Sequence, residues 1–562
     1  MLVAAVVGTL FTVSLCLFIQ KGFPDKSLKR WKLCLLLALV CNLDSFFIYA
    51  KQGWEFQDWD SYLKTNYFRA PFNNDVQRNV DIIETLLRRS DNSPFLPEST
   101  LRYQVLWHQF AATLVGPFDV SVTRYPLVSG VTLATAVTFF FLLFWLLTAK
   151  APKLSRAALV GLAVLVSTHA EIYNMVLSFW RAHAPGIEAD WSVAFPLYYR
   201  NMSLKFLSLI SPQHLLFFFV ALLVFSPLWE HLGKRVRPFI LFLGFLASPI
   251  LAVLLVAWEL FQSFKDKKFR WELVWSFLLA YFLFPMVMGF GLFSIFRSER
   301  MEAMGFMHLN PWNLLDLPFL LTAYLGILGA VVTLSFRKAF KGFEGMFVFW
   351  GAIVFSFLIT SGELRRHFAM MAAFLSCLLL PTLFRWNRWF QVAAGLALLL
   401  HGYFIYSFTM KPGGVDPTIA WKDYFDLNQV VRTQFSDLAV IGSTSSAAGI
   451  EFPIVMEATT SYDGLPGAVA HGKTTEDQRI LLHRAEQEGI LALAYRLGYR
   501  AVTWGPLEEK VWTAALLDRY CDTVLAKVGT VSLYSLKENP WDEGGYASNS
   551  DFVLDANGTR RN

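Results

Sequence analysis

Long apolar runs separated by short polar stretches fill the first 408 residues. Runs of bilayer-spanning length lie at 2–20, 31–50, 126–148, 157–177, 213–231, 273–296, 314–335, 344–361, 367–384 and 388–408. The run 104–118 is too short to cross and predicts a half-inserted or surface helix. The run 238–263 is interrupted by Ser248-Pro249, which predicts two short helices, because proline lacks a donor and cannot continue a helix interior. Beyond Lys411-Pro412-Gly413-Gly414 the pattern changes. There Asp437–Ser443 (DLAVIGS), Arg500–Pro506 (RAVTWGP) and Thr530–Leu536 (TVSLYSL) alternate as strands. Between the first two, 478–498 has helical periodicity. The expected fold is mostly α: a polytopic membrane protein with about 11–13 transmembrane helices and a C-terminal extracytoplasmic α/β domain. The boundaries follow: 1–408 transmembrane, with 51–103 as its first outer loop; 409–414 linker; 415–540 the α/β domain; and 541–562 a loose Gly/Asn/Asp/Ser-rich tail.

Composition agrees with that class. Of 562 residues, 55% are hydrophobic and only 16% charged, where soluble proteins carry about 25% charge. Mean hydropathy is +0.43. Met1–Gln20 lacks the basic start and small-residue cleavage site of a signal peptide, so it is expected to remain as the first helix. The five cysteines form no CxxC, which leaves zinc and iron–sulfur sites without support.

The net charge of +6 divides by region. The stretches 21–30, 149–156, 233–237, 264–271, 336–342 and 385–388 hold 19 Lys and Arg against two acids, Asp25 and Asp266. All six fall on one side if 104–118 does not cross and 238–263 crosses twice. The positive-inside rule then makes that side cytoplasmic, with 51–125, 178–212, 297–313 and the tail from 409 outside. The tail carries 14 basic and 20 acidic residues. The charge therefore records orientation in a membrane, which removes any reason to expect a nucleic-acid partner.

Candidate chemistry lies in the outer segments. Gly53–Tyr62 (GWEFQDWDSY) places Asp58 and Asp60 among aromatics just outside a span. Such a carboxylate can serve as general base on a sugar hydroxyl or hold a divalent cation; a solvated acidic loop flanked by belt tryptophans is the plainer alternative. Asp44, inside the second span, either faces a cavity or reaches headgroup water. His108 follows Leu101-Arg102-Tyr103 on the short helix, either to meet a phosphate or sugar or as a structural histidine. Ser211-Pro212-Gln213-His214 opens the 213–231 span and sets Gln213 and His214 toward the outer side. Arg365, Arg366 and His367, after Ser361-Gly362-Glu363-Leu364, oppose the positive-inside bias. Arginine forks bind phosphate oxygens bidentately, and pairing with Glu363 or headgroups is the alternative. Arg297, Glu299, Arg300 and His308 form a second polar outer loop. No phosphate-binding loop, GxGxxG, HExxH or GxSxG occurs.

The acidic loop after an early span resembles the GT-C-fold membrane glycosyltransferases. So do the Leu-Arg-Tyr-x-x-x-x-His helix, the Pro-Gln-His helix start, the Ser-Pro-broken pair and the Glu-Leu-Arg-Arg loop. The segment Leu497–Glu508 (LGYRAVTWGPLE) is similar to one in large uncharacterised bacterial and archaeal members. The resemblance implies transfer of a sugar from a polyprenyl-phosphate carrier to a glycan, lipid or protein acceptor, at the outer face of a bacterial inner membrane. It implies that Asp58 or Asp60 activates the acceptor or holds a metal. It also implies that Arg365 and Arg366 bind the lipid phosphate, with His367, His214, Gln213 and His108 as further substrate contacts. A catalytically inactive scaffold of an envelope complex and a lipid-linked glycan transporter are the alternative readings.

Overall fold

In the computed structural model the described residues are 30–43, 46, 79–80, 82–83, 86–87, 106–118, 125–150, 154–166, 212–226, 229, 232–288, 374, 391–392, 394–396, 398–399, 421–435, 438, 440–442, 459–461, 491, 495, 498–506, 508–510 and 513–537. The spans expected at 2–20, 314–335 and 344–361, the linker and the tail lie outside them.

The N-terminal part is helical: α1 (Trp31–Cys41), α2 (Leu106–Val115), α3 (Tyr125–Lys150), α4 (Arg156–Val166), α5 (Pro212–Val224), α6 (Arg237–Ala247), α7 (Pro249–Lys265) and α8 (Trp271–Met288). Among the described residues, one stretch, Leu127–Thr148 of α3, is long and apolar enough to cross a bilayer alone. Its hydroxyls are satisfied within the helix. Thr132, Thr135 and Thr138 donate to the carbonyls of Val128, Val131 and Ala134 at 2.9, 2.8 and 2.8 Å, so polar side chains cost little on an otherwise apolar rod. Helix α5 stops at Val224, short of the apolar run 213–231. The sequence places Pro227 just beyond, and the residue before a proline is pushed out of the α region.

Packing aligns the helices in pairs. The Arg30 guanidinium donates to the Leu154 carbonyl at 2.7 Å, and Cys41 Sγ lies 3.4 Å from the Ala163 carbonyl oxygen, so α1 and α4 run parallel. Arg237 lies 3.6 Å from Glu272, and the Phe245 and Phe277 rings are 5.6 Å apart, so α6 and α8 also run parallel. Between them α7 returns. Ser248, extended at φ −158°, separates α6 from Pro249 at the first position of α7, where a missing N–H costs nothing. At 11 residues α6 is about 16 Å long. Phe139, Phe217, Phe218 and Phe374 are fully buried where α3 meets α5. Ring centroids lie 6.1 Å apart for Phe139–Phe218 and 5.0 Å for Phe218–Phe374.

The C-terminal part holds α9 (Trp421–Gln434), β1 (Val440–Gly442), β2 (Thr459–Ser461), β3 (Ala501–Trp504), α10 (Ala515–Tyr520), β4 (Cys521–Val528) and β5 (Val531–Leu536). The strands form a mixed sheet of order β2-β1-β3-β5-β4. β1 pairs parallel with β2 and β3, while β5 pairs antiparallel with β3 and β4. β1, β3 and β5 fall in the three segments expected to be strands; β2, β4 and α9 are additional. Gly529, at φ +52°, makes the β4–β5 turn and lies against the Asp423 carboxylate. That carboxylate accepts from the Thr530 amide at 2.7 Å and the Thr530 hydroxyl at 2.8 Å, fixing α9 to the hairpin. Most of the helix expected over 478–498 lies outside the described residues.

Candidate functional site

Asp58, Asp60, Arg365, Arg366 and His367 lie outside the described residues, as do Asp44 and the polar loop at 297–308. The structure describes His108, Gln213 and His214. All three are buried and belong to neighbouring helices, since α2 packs against α3 and α5.

His108 sits in the first turn of α2 and is completely enclosed. Its Nε2 lies 2.8 Å from Asn79 Oδ1, an arrangement in which Nε2 carries the proton. Trp107 stands edge-on to the imidazole, with centroids 5.3 Å apart, and its indole N–H donates to Thr135 of α3 at 3.3 Å. His108 thereby ties Asn79, 19 residues after Asp60, to the short helix. Val80, Ile82 and Ile83 beside Asn79 are also buried, and Leu87 lies close against Gly116 beyond the end of α2. The sequence carried this signal: Val80, Ile83 and Leu87 follow a helical spacing inside a segment read only as outer loop.

Gln213 and His214 occupy the first turn of α5, next to Pro212. One turn further, Phe218 packs on Phe374, seven residues after His367. Phe374 is thus packed on the helix that begins with Gln213-His214. Among the described residues no three His, Cys, Asp or Glu side chains are grouped to hold a metal ion.

Three carboxylates that sequence reasoning passed over, Glu259, Glu272 and Glu508, are buried elsewhere. Glu259 of α7 accepts from Arg270 at 2.7 Å, and the other arm of that guanidinium reaches Asp266 at 2.8 Å. Nearby, Arg237 pairs with Glu272 and lies over the Trp229 ring at 5.5 Å. In the C-terminal part Glu508 is fully buried. The Tyr424 hydroxyl donates to its Oε2 at 2.6 Å and the Thr503 hydroxyl to its Oε1 at 3.0 Å. A Cβ on Gly505 would lie 2.7 Å from the Tyr424 oxygen, so the Trp504-Gly505-Pro506-Leu507-Glu508 run has a local structural purpose. It seats β3 on α9.

No protein-family model matches this chain, and no curated protein does so either.

Proposed function

We propose that this chain is a multi-pass membrane glycosyltransferase of GT-C type. It moves a sugar from a polyprenyl-phosphate donor to a glycan, lipid or protein acceptor on the outer face of a bacterial inner membrane.

Membrane embedding is supported by the outer surface of α8. Trp271, Trp275, Leu278, Phe282 and Met286 are exposed and succeed one another by three or four residues, forming one exposed apolar face. The parallel helix pairs support the orientation. Arg30 meets the carbonyl of Leu154, and Arg237 meets Glu272, so basic segments assigned to one side lie together in each pair. With α6 only about half as long as the hydrocarbon is thick, α6 and α7 fit a hairpin that enters and leaves by one face. That keeps the loop parity two full crossings would give.

The chemistry rests on the Phe218–Phe374 contact at 5.0 Å. It sets Phe374, seven residues after His367 in sequence, one turn along the helix that begins with Gln213 and His214. In this reading Arg365 and Arg366 hold the lipid phosphate and stabilise the charge it gains as the sugar leaves, with His367, Gln213 and His214 around it. Asp58 or Asp60 takes the acceptor proton or holds a divalent cation, and His108 positions the acidic segment through Asn79. The test is mass spectrometry of lipid-linked glycans and envelope polymers in cells with and without the chain, and with Asp58→Asn, Asp60→Asn and Arg365→Gln/Arg366→Gln. The expected result is accumulation of an unspent polyprenyl-linked sugar in the deletion and in the variants. A profile unchanged by deletion overturns the enzyme assignment.

A further inference from the structure

The start of α6 and the start of α8 carry charge in two layers. The inner layer is paired: Arg237 with Glu272, and Arg270 with Glu259, while the second arm of Arg270 reaches the exposed Asp266. The outer layer is basic. Lys234 and Arg235 precede α6, Lys265 ends α7, Lys267 and Lys268 lie on the turn between α7 and α8, and all five side chains are exposed. The Arg237–Glu272 contact holds the two turns side by side. Across 232–237 and 259–272 the chain has seven basic and three acidic residues. Glu259 and Glu272 lie in the inner layer and cancel the two arginines, while the exposed Asp266 offsets one of the five outer cations, so the excess of four positive charges belongs to the outer surface.

Large apolar side chains stand among those cations. Phe264 is 81% exposed, Phe269 64% and Trp271 65%, with Phe239 of α6 also exposed. Phe269 and Trp271 meet edge-to-face, with centroids 5.0 Å apart. A soluble anion would be served by the lysines alone and would leave this aromatic area in water. A phospholipid with an anionic headgroup satisfies both features: phosphate against the ammonium and guanidinium groups, glycerol and upper acyl chain against the rings. Lys267, at φ +51°, closes the helix end and turns the chain so that Lys268 and Phe269 follow on the same tip.

We infer that the paired turns 233–236 and 264–271 form a binding site for anionic phospholipid of the cytoplasmic leaflet. The inference rests on the membrane reading of the chain and names a partner distinct from the polyprenyl-phosphate donor on the opposite face.

The test uses the full-length chain in vesicles of equal parts phosphatidylglycerol and phosphatidylcholine, and in phosphatidylcholine alone. The lipids retained after mild detergent extraction are quantified by mass spectrometry. Wild type is expected to retain phosphatidylglycerol in excess. Lys234→Gln/Arg235→Gln/Lys267→Gln/Lys268→Gln is expected to lower that excess at least about fivefold, the factor one surface cation near an anionic membrane contributes. The corresponding Lys→Arg variant is expected to keep it. If the Gln variant fails to fold, wild type decides: raising salt tenfold should erase the excess by screening. An excess that survives salt, or one that the folded Gln variant retains, overturns the lipid site. Displacement of the lipid by about 10 mM inorganic phosphate at constant ionic strength also overturns it and makes the site one for a soluble anion. Failure to enter pure phosphatidylcholine vesicles overturns the membrane reading together with this inference, whereas insertion without selectivity overturns the inference alone.

Discussion

Glu259 and Glu508 are both buried carboxylates, held by opposite means. Glu259 lies among helices and faces Arg270, which shares its second arm with Asp266. Glu508 lies beside a sheet and is held by two neutral hydroxyls, from Tyr424 and Thr503. A guanidinium is matched to a carboxylate in charge and in geometry, so the helical site can neutralise itself where little water is present. The sheet site draws hydroxyl donors from two separate segments, α9 and β3. The two sites thus meet a buried carboxylate with different donors, a guanidinium in one and hydroxyls in the other.

The largest effect should come from removing one charge of the helical group. Arg270→Met leaves Glu259 buried without its guanidinium and is expected to cost about 3–5 kcal/mol. Thermal unfolding of the purified chain in detergent measures this, and Glu259→Leu/Arg270→Met should recover most of the loss. If the double variant is as unstable as the single one, the pair is not what sets the cost.

Next, Glu508→Leu strands the Tyr424 and Thr503 hydroxyls and is expected to cost about 2–3 kcal/mol. Chemical denaturation followed by tryptophan fluorescence reads it, and a loss as large as that of Arg270→Met would erase the contrast between the two sites. A somewhat smaller effect is expected for Gly505→Ala. The new methyl would sit 2.7 Å from the Tyr424 oxygen and 2.9 Å from Val531 Cγ2, for about 1–3 kcal/mol of overpacking. Tyr424→Phe in the same chain should cost less than its own separate effect, because it removes the atom that the methyl meets. Additive costs in this double-mutant cycle would contradict the packing described.

The smallest effect concerns pH. Burial pushes the Cys521 thiol up to about 12 from an ordinary 9.0, against a weaker downward pull from Lys537. The folded domain thus binds this proton more tightly than the unfolded chain. Its contribution is intact below pH 9 and is lost as pH rises from there toward about 12. Cys521→Ala should flatten the decline in stability over that window, and the native thiol should resist iodoacetamide at pH 8.

Much of the architecture was legible because single residues impose it. Pro249 cannot donate a backbone hydrogen bond, so the break between α6 and α7 falls at Ser248. Val502, Trp504, Val531 and Tyr534 mark β3 and β5 through their shape. Strand β4 was harder to see: it is an edge strand, exposed along much of its length, with Asp522 and Lys527 outward, the charges that discourage further pairing. Helix α9 reads as polar, yet Tyr424, Leu427 and Val431 are fully buried at helical spacing. Pairing was the least legible feature. Nothing in the spacing of Glu259 and Arg270 says that α7 reverses to bring them together. Nor does anything in His108 reveal Asn79, which lies in a segment whose hydrophobic spacing is brief. The proposed site draws on side chains far apart in sequence, and of these the described residues include His108, Gln213 and His214.

The separation of partners along the chain has a consequence for synthesis. Glu259 and Arg270 are 11 residues apart, so at about 5–20 residues per second a ribosome delivers the arginine within roughly two seconds of the glutamate. The charge can be cancelled while the chain is still being synthesised. Tyr424 waits 84 residues for Glu508, about 4–17 seconds at the same pace. That domain cannot close until nearly all of it has emerged, and any factor that shields it during the interval must act on α9 first.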